Sequence, residues 1–552
     1  MHDAAIFLTE GTSNTGPRLF GKDVANAGLI RALVAAQLAA SPDRPQRFCA
    51  LDGRTPQDVA RHFGLDAATQ ARLAVLRPDA IPDTPGVGVL MHGQPNIYHF
   101  AWTRRPEQAR AYSLCGLIHT LAPPATQEVI AKVLTAPVQP WDALVCTSTA
   151  VLRTTTALLE SWGDFIGARF GGARAPLPRL PVIPLGVDCD AFEPTPERRA
   201  AGQAWRDRLG IAGDDVAILW MGRLSFFEKM HPFATLAAAE SAARRSRRKL
   251  HLVFAGWFPH DSHRAQYARL AAGAAPSVKV HFVDGNDPDV RAHIWFAADV
   301  FTSLVDNVQE TFGLAPIEAM AAGLPVVASD WDGYKDTIPD GVAGFRIPTV
   351  LPPAGSGLDI VRPHASHIMS YQNYVGAVSQ GIAVDVAAAA DAFLTLAEDA
   401  DRRRRFGGAG RERARTVYDW PVIAAQYRAL WAELTEVRRA EAGVAHAAYP
   451  LHQDPYALFA GFATRSMDAG TVLALADADA PARLKPLRSL EINSFARYWH
   501  LDDGALRALL DRLAAGPLTL ADLEQAHPGE SERVQRSVAW LLKMGLVVLR
   551  AP

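Results

Sequence analysis

The feature that most constrains the fold is an alternation of short apolar runs with helix-like segments, and it occurs twice. Within the first 190 residues the apolar runs are AAIFL, GVGVLMHG, CGLIHTL, ALVCTS and PVIPLG. The alternation restarts at residue 216 with VAILWMGRL, LHLVFAG, VKVHFVDG, VFTSLVD and PVVASD. Short β-rich runs separated by helical periodicity are typical of parallel sheets that are covered by helices. The chain is therefore predicted to be an α/β protein.

Two successive alternations predict two Rossmann-like domains that face each other across a cleft. Ligands of such sheets bind beyond the carboxyl ends of the strands, so we expect the active site in that cleft. The chain has 552 residues, which suits two or three domains. We expect the Rossmann-like domains at residues 1–190 and 191–420, with an insertion at about 350–382. The amphipathic stretch DWPVIAAQYRALWAELTEVRRAE predicts a helix, at residues 421–445, that crosses between the domains.

The remaining segment, residues 446–552, is predicted to be a small, mainly helical, winged-helix-like domain. Its end, TLADLEQAHPGESERVQRSVAWLLKMGLVVL, predicts helix, turn, helix and strand, with Ser531 as an N-cap. The segment contains 11 Lys and Arg against 12 Asp and Glu. DNA binding is therefore not favoured, since it requires a basic face, and protein or peptide recognition or a homodimer contact is expected instead.

The stretch VQETFGLAPIEAMAAGLPVVASD places two acids beside a helix N-terminus. VFTSLVD should be a strand and APIEAMAAG a short helix, with Pro316 in its first turn and Gly323 at its end. Glu310 then lies in the loop and Glu318 in the helix. The amides near Gly313 and Leu314 would face the cleft, where a helix N-terminus attracts phosphate.

Carboxylates at such a place suit a ligand that combines hydroxyls with phosphates, which describes a nucleotide sugar. Taken alone, Glu310 and Glu318 also fit a solvated loop acid and a helix-surface acid. The preceding motif WMGRLSFFEKMHP adds two cations, Arg223 and Lys229, at the same predicted sheet edge. Together with helix amides they would neutralise a leaving diphosphate, although each also fits an ordinary surface base.

Over about residues 4–440 the chain resembles the retaining family 4 glycosyltransferases of GT-B fold. The motifs that carry this resemblance are LIHTL, VIPLGVDCDAF, GRLSFFEK and ETFGLAPIEAMAAGLPVVASDWDG. The resemblance implies that the first domain binds the acceptor and the second the donor. SDWDGYKD departs from the family's usual twin glycines, with Tyr334 in the second place, so the loop near the sugar is expected to be re-shaped.

The resemblance also implies roles for single residues. Arg223 and Lys229 would hold the donor diphosphate, with the Gly313 and Leu314 amides on a phosphate. Glu318 would bind the ribose hydroxyls. The catalytic residues would be Glu310, which contacts the transferred sugar, and His119, which faces it. Gly16 would lie beside the diphosphate, which completes the implied set of donor-binding residues.

The expected function is transfer of a sugar, with retention, from a nucleoside diphosphate sugar to a hydroxyl acceptor on a glycan, a lipid-linked molecule or a protein. The resemblance also implies that no cofactor and no metal is needed, because Arg, Lys and helix amides replace the metal ion in this family. The acids at Asp287–Asp289 and Asp188–Asp190 are interpreted as a helix cap and an inter-domain segment. Two alternatives stay open: a GT-B epimerase or phosphorylase, and a non-catalytic protein that binds through its C-terminal domain.

Composition adds a cytoplasmic location to these expectations. The four cysteines are widely spaced and do not form a CxxC pair, which is unlike a disulfide framework or a zinc site. The formal net charge of −2 gives no reason for bulk attraction to nucleic acid. No leader peptide and no apolar run of membrane-spanning length is visible, and peripheral membrane association stays open.

Overall fold

The computed structural model describes residues 3–9, 21–171, 177–443 and 448–550. The chain forms two compact units, Met1–Ala448 and Tyr449–Pro552. The larger unit contains two six-stranded sheets, and all the strand pairs described within them are parallel. The predicted α/β class with two Rossmann-like domains is confirmed, and the arrangement matches the GT-B fold. The exact domain boundaries stay a prediction.

The first sheet has the strand order β3-β2-β1-β4-β5-β6, the doubly wound order in which ligands bind where the strand order reverses. Its strands are β1 Asp3–Leu8, β2 Gln46–Ala50, β3 Leu73–Leu76, β4 Val87–His92, β5 Ser113–Ile118 and β6 Ala143–Cys146. Its helices are α1 Gly21–Ala40, α2 Pro56–Phe63, α3 Ala67–Gln70, α4 Ile97–Thr103, α5 Pro124–Ala131 and α6 Thr149–Phe170. Every residue of β1, β4, β5 and β6 is buried, which explains their continuous apolar runs.

The second sheet has the same topology, with the order β12-β11-β10-β7-β8-β9. Its strands are β7 Val216–Arg223, β8 Leu250–Trp257, β9 Lys279–Asp284, β10 Val300–Ser303, β11 Val326–Ser329 and β12 Gly344–Ile347. Helix α7 Pro196–Leu209 precedes β7, and the helices that follow are α8 Phe233–Arg245, α9 Asp261–Ala274, α10 Pro288–His293, α11 Leu314–Ala321 and α12 Tyr334–Thr337. The central strands β7, β10 and β11 bring their carboxyl ends to one edge.

The insertion contains helices rather than an open loop. An antiparallel pair, β13 Thr349–Val350 and β14 Ala383–Val384, brackets two helices, α13 Leu358–Ala365 and α14 Tyr371–Ser379. Three further helices follow, namely α15 Val386–Glu398, α16 Ala400–Arg413 and α17 Trp420–Ala440. The insertion therefore supplies ordered side chains near the second sheet.

Helix α17 returns the chain to the first domain. Asp419 caps it, with its side chain accepting from the Trp420 amide. Arg428 Nη1 donates to the Ala36 carbonyl at 3.0 Å, and Arg438 Nη1 donates to Ser113 Oγ at 2.8 Å. A side chain at Gly28 would overlap the Trp420 ring, so this glycine permits close helix packing. Helix α17 is thus anchored on the first domain by hydrogen bonds along its length.

The smaller unit is mainly helical. Its helices are α18 Pro455–Leu458, α19 Ala480–Ser489, α20 Asp503–Ala514, α21 Leu520–Gln525 and α22 Ser531–Lys543, and its strands are β15 Val472–Leu475, β16 Leu518–Thr519 and β17 Val547–Leu549. The three strands form an antiparallel sheet with β15 in the centre. The predicted succession of helix, turn, helix and strand is present at its end. The winged-helix interpretation stays a prediction.

The N-cap prediction for Ser531 is wrong. Helix α22 begins at Ser531, and Glu530 occupies the cap position without a side-chain cap bond. Gly529, at φ +84°, turns the chain one residue earlier than the sequence pattern indicates. The Glu530 side chain instead forms a 2.6 Å ion pair with Arg533. The buried stripe of α22 is formed by Val534, Val538 and Leu541, while Leu542 is half-buried.

Helices of bilayer-spanning length and hydropathy are not found in the described ranges. The predicted cytoplasmic location and the open alternative of peripheral membrane association are not tested by this finding. Both stay predictions.

Candidate functional site

A cleft of about 510 Å³ lies between the two Rossmann-like domains. Residues of the first domain, including His119, line one side. Residues after β7 and β10 of the second domain line the other. All the predicted site residues that are described line this cleft: His119, Arg223, Lys229, Glu310, Gly313, Leu314 and Glu318. Gly16 lies outside the described residues.

The two predicted cations are held by acids. Arg223 ends β7 and forms a 2.7 Å ion pair with Glu228, and both side chains are largely buried. Its guanidinium also lies over the Trp257 ring, 5.9 Å from the centroid. Lys229 Nζ lies 3.1 Å from Glu310 Oε2. Both cations are thus kept in the cleft by anionic partners that a diphosphate could replace.

Glu310 is ionised in this arrangement. Burial by itself would raise its pKa, but the Lys229 ammonium and hydrogen bonds from Lys229 and the following backbone hold the pKa of Glu310 below its ordinary value. A carboxylate at the wall of a cleft can stabilise positive charge that develops on a ligand.

First-domain groups fix the loop that carries Glu310. Thr311 Oγ1 donates to the His119 carbonyl at 2.6 Å, and Ser148 Oγ donates to the Thr311 carbonyl at 3.0 Å. Thr120 Oγ1 donates to the Gln309 carbonyl at 3.5 Å. The loop of the second domain is therefore positioned by hydrogen bonds that cross the cleft.

The N-terminus of α11 opens onto the cleft. Gly313 precedes the helix at φ +82°, a conformation that favours glycine, and provides no side-chain cap. A side chain at Gly313 would overlap the Tyr334 ring, whose hydroxyl pairs with Ser303 Oγ at 2.9 Å. The close approach leaves backbone N–H groups at the cleft wall, where they can donate to an anion.

Glu318 lies in the second turn of α11 and is half-buried. Burial raises the pKa of its carboxyl to about 7. Among the described residues, no hydrogen-bond donor to this carboxyl is found. The group is therefore available to accept hydrogen bonds from a bound ligand, and its charge changes near neutral pH.

His119 follows β5 and is oriented by Asn26. Its Nε2 lies 2.9 Å from Asn26 Oδ1, and Asn26 Nδ2 donates to the Gly93 carbonyl at 3.2 Å. Because Asn26 presents its oxygen to the ring, Nε2 carries the proton. Burial, with Lys22 adding a smaller effect, lowers the pKa of His119 to about 4. The imidazole is thus neutral at neutral pH.

Three residues of the site were not singled out from the sequence as site residues. Tyr334 and Tyr371 line the cleft, and Tyr371 donates to Gln309 Oε1 at 3.0 Å. Asp332 lines an adjoining cavity together with Glu310, and its backbone has φ +37°. Aspartate before glycine is a turn-forming pair that tolerates positive φ, so the sequence indicates a turn here but not a residue of the site.

The acids at Asp287–Asp289 and Asp188–Asp190 lie at the starts of short helices, where Asp287 and Asp188 act as caps. The Asp287 side chain accepts from the Asp289 amide at the start of α10, and the Asp188 side chain accepts from the Ala191 amide. In the described ranges no group of three or more metal-binding side chains is found. Metal independence stays a prediction.

Comparison with known proteins identifies one matching family. Residues 202–352, which contain Arg223, Lys229, Glu310 and Glu318, match the family model described as "Glycosyl transferases group 1". This part of the second domain is therefore similar to group 1 glycosyltransferases.

Two relatives and one solved structure illustrate the extent of similarity. The D-inositol 3-phosphate glycosyltransferase of Geodermatophilus obscurus is 36% identical over 172 residues, 31% of this chain and 37% of that protein. The phosphatidyl-myo-inositol mannosyltransferase of Mycobacterium tuberculosis is 29% identical over 244 residues, 44% of this chain and 51% of that protein. The match thus spans about half of each relative or less. The sucrose-phosphate synthase structure from Thermosynechococcus elongatus has a TM-score of 0.48 and 18% identity, and the match covers 79% of this chain and all of that one.

Proposed function

We propose that this chain is a retaining glycosyltransferase that transfers a sugar from a nucleoside diphosphate sugar to a hydroxyl acceptor. The observation that carries the proposal is the convergence of Arg223, Lys229, the α11 N-terminus, Glu310 and Glu318 in one cleft. These groups lie within the segment that matches group 1 glycosyltransferases. The donor therefore binds at the carboxyl edge of the second sheet.

In this proposal the diphosphate replaces the acidic partners of Arg223 and Lys229. Arg223 exchanges Glu228 for a phosphate oxygen, and Lys229 exchanges Glu310. The amides of Gly313 and Leu314 donate to the same group. Two charge-assisted contacts and a helix N-terminus stabilise the negative charge that develops on the leaving diphosphate.

The exchange at Lys229 also prepares the chemical step. Once Lys229 binds phosphate, the Glu310 carboxylate faces the sugar and stabilises the positive charge that develops at its anomeric carbon. The bond from that carbon to the diphosphate breaks, and the acceptor oxygen attacks from the same face. The acceptor proton passes to the leaving phosphate. Neutral His119, held by Asn26, positions the sugar, and Glu318 accepts from the ribose hydroxyls.

The smaller unit, from Tyr449, has a separate proposed role in acceptor recognition or in a homodimer contact. It holds nearly balanced charges, and large side chains such as Phe462 and Phe495 are 87% and 83% exposed. Because exposed aromatic residues are enriched at protein interfaces, these side chains favour protein recognition over DNA binding.

The proposal is tested with the purified chain and a panel of nucleotide sugars. The true donor should raise the melting temperature, because it binds only the folded state. Labelled donor should then give slow hydrolysis and faster transfer, and the product should keep the anomeric configuration of the donor. Activity should persist in EDTA. An inverted product, or a melting temperature that no nucleotide sugar changes, would overturn the proposal.

A further inference from the structure

A second cavity of about 510 Å³ adjoins the donor cleft. The two cavities share Glu310 and Thr311. The second is lined by residues of both domains and of the insertion, including Val151 and Thr154 of α6, the loop after β11, and Tyr374 and Val378 of α14. Its position beyond Glu310 places it next to the sugar that the donor cleft would hold.

Asp332 lines this cavity and has both an uncommon backbone conformation and a buried carboxyl oxygen. Its backbone has φ +37°, its Oδ1 accepts from the Gly333 amide, and its Oδ2 is buried without a hydrogen-bond partner among the described residues. Uncommon backbone conformations cost free energy and cluster at functional sites, and a buried polar atom without a partner costs free energy as well. Burial, followed by the negative charge of Glu310, raises the pKa of Asp332 well above its ordinary value. Asp332 therefore places a carboxyl oxygen without a described partner beside Glu310, where burial and the Glu310 charge favour its protonated form.

The charges in the second cavity disfavour a phosphate. Its described lining contains three acids, Glu310, Asp330 and Asp332, and a single cation, Lys335. Lys335 lies 3.5 Å from Asp330 and is half exposed, so its charge is already balanced and screened by solvent. Phosphate recognition requires cations or open backbone amides, and the described side chains of this lining offer a phosphate no cation that lacks an acidic partner.

The remaining lining suits a polyhydroxyl compound. Trp331 and Tyr374 offer aromatic surfaces, and Thr154 and Gln127 offer polar groups. The Trp331 ring is fixed by donation of its Nε1–H to the Asn307 carbonyl at 3.0 Å. Fixed aromatic faces with a few polar groups are the usual composition of a small-molecule site.

Resting on the function proposed above, we propose that the second cavity binds the acceptor, and that this acceptor is an uncharged sugar or polyol without a phosphate. Its reacting hydroxyl lies beside Glu310, and Asp332 donates a hydrogen bond to a neighbouring acceptor oxygen. Asp332 is thus an acceptor-binding residue of the reaction.

The first experiment compares acceptors that differ only by a phosphate. The pairs are glucose and glucose 6-phosphate, mannose and mannose 6-phosphate, and myo-inositol and its monophosphate, each with the labelled donor found in the panel. We expect a neutral member to divert the sugar from hydrolysis to transfer, with kcat/KM at least about tenfold above its phosphorylated partner. Preference for a phosphorylated member, or donor hydrolysis that no neutral member diverts, overturns the inference while leaving the proposed function intact.

The second experiment changes the cavity. Asp332→Gly relieves the backbone strain and removes the donor, so kcat/KM for the neutral acceptor should fall at least about tenfold while diphosphate affinity stays within twofold. Thr154→Lys adds a cation to the second cavity. It should reduce the ratio of kcat/KM for a neutral acceptor to kcat/KM for its phosphorylated partner. Thr156→Lys, on the same helix but lining neither cavity, is the matched control. Unchanged acceptor kinetics in Asp332→Gly, or equal effects of the two lysines, count against the inference. Failure of the unaltered chain to bind any nucleoside diphosphate would instead remove the proposed function itself.

Discussion

The two cavities on either side of Glu310 differ chiefly in charge. The donor cleft has cations, Arg223 and Lys229, whose acidic partners a phosphate can replace. Among the described residues, the second cavity has acids from the loop after β11 and one cation, Lys335, which is paired with Asp330. The two cavities therefore differ in the cations that they offer to a phosphate. Glu310 thus lies at the boundary between the proposed phosphate site and the proposed hydroxyl site.

The largest expected effect comes from Glu310→Gln at this boundary. The change keeps the shape but removes the carboxylate that stabilises positive charge on the sugar, so kcat should fall by about 100-fold or more. Diphosphate affinity should stay the same or increase, because Lys229 no longer has to leave an acid. Steady-state kinetics and calorimetry measure the two quantities. Glu436→Gln, which removes a surface ion-pair partner of Arg439, is the control. Equal losses of turnover and of diphosphate affinity would contradict the boundary role.

The next largest effect is expected from removing either cation of the donor cleft. Arg223→Ala and Lys229→Ala should each weaken diphosphate binding by about 1.5 to 3 kcal/mol, the range for a lost hydrogen bond to a charged group. The dissociation constant would rise by roughly tenfold to 150-fold. Arg223→Lys keeps a charge beside buried Glu228 and shows whether an unpaired acid, rather than lost phosphate contact, causes the defect. Unchanged affinity in both alanine variants would remove the charge contrast between the cavities.

A smaller effect concerns Glu318 and pH. With a pKa of about 7, its carboxyl is mostly protonated at pH 6 and mostly ionised at pH 8. If the ionised form accepts from ribose hydroxyls, as proposed, nucleoside diphosphate affinity should rise by about tenfold over this interval. Glu318→Gln should reduce the affinity at pH 8 and remove this part of the pH dependence. Phosphate ionisation affects both proteins equally, so the difference between their calorimetric profiles isolates Glu318. Parallel profiles would show that the carboxyl does not contact the ligand.

The raised pKa of Glu318 also makes the stability of the unliganded protein depend on pH. The pKa of Glu318 is higher in the folded chain than the ordinary value of 4.5. Its contribution to the free energy of unfolding is therefore fully present below pH 4.5 and is lost as the pH rises through about 7. Denaturant unfolding of the Gln variant should lack this loss, independently of any ligand.

The sequence predicted the donor cleft better than the second cavity, for a physical reason. The strands of a doubly wound sheet are buried on both faces, so their apolar runs are readable, and parallel strands bring their carboxyl ends to one edge. Arg223 and Glu310 could thus be placed together without a structure. The pairing of Lys229 with Glu310 depends on loop conformation. The second cavity depends on helix α14 of the insertion and on the positive φ of Asp332, neither of which follows a periodic pattern. Ser531 shows the same limit, because a turn at Gly529 shifted the cap by one residue.

The smallest expected effect is that of Lys335→Ala in the second cavity. The Lys335 side chain is 52% exposed, and Arg346 Nε also lies 3.5 Å from the Asp330 carboxylate, so a cation remains when Lys335 is removed. Exposed ion pairs of this kind contribute about 0.2 to 1 kcal/mol. We therefore expect kcat/KM for a neutral acceptor to change by less than about threefold, and diphosphate affinity to stay constant. Measured beside Lys229→Ala, this variant compares a cation that binds substrate with one that only balances an acid. A large loss confined to phosphorylated acceptors would show that Lys335 recognises phosphate, and the charge difference between the two cavities would no longer separate their ligands.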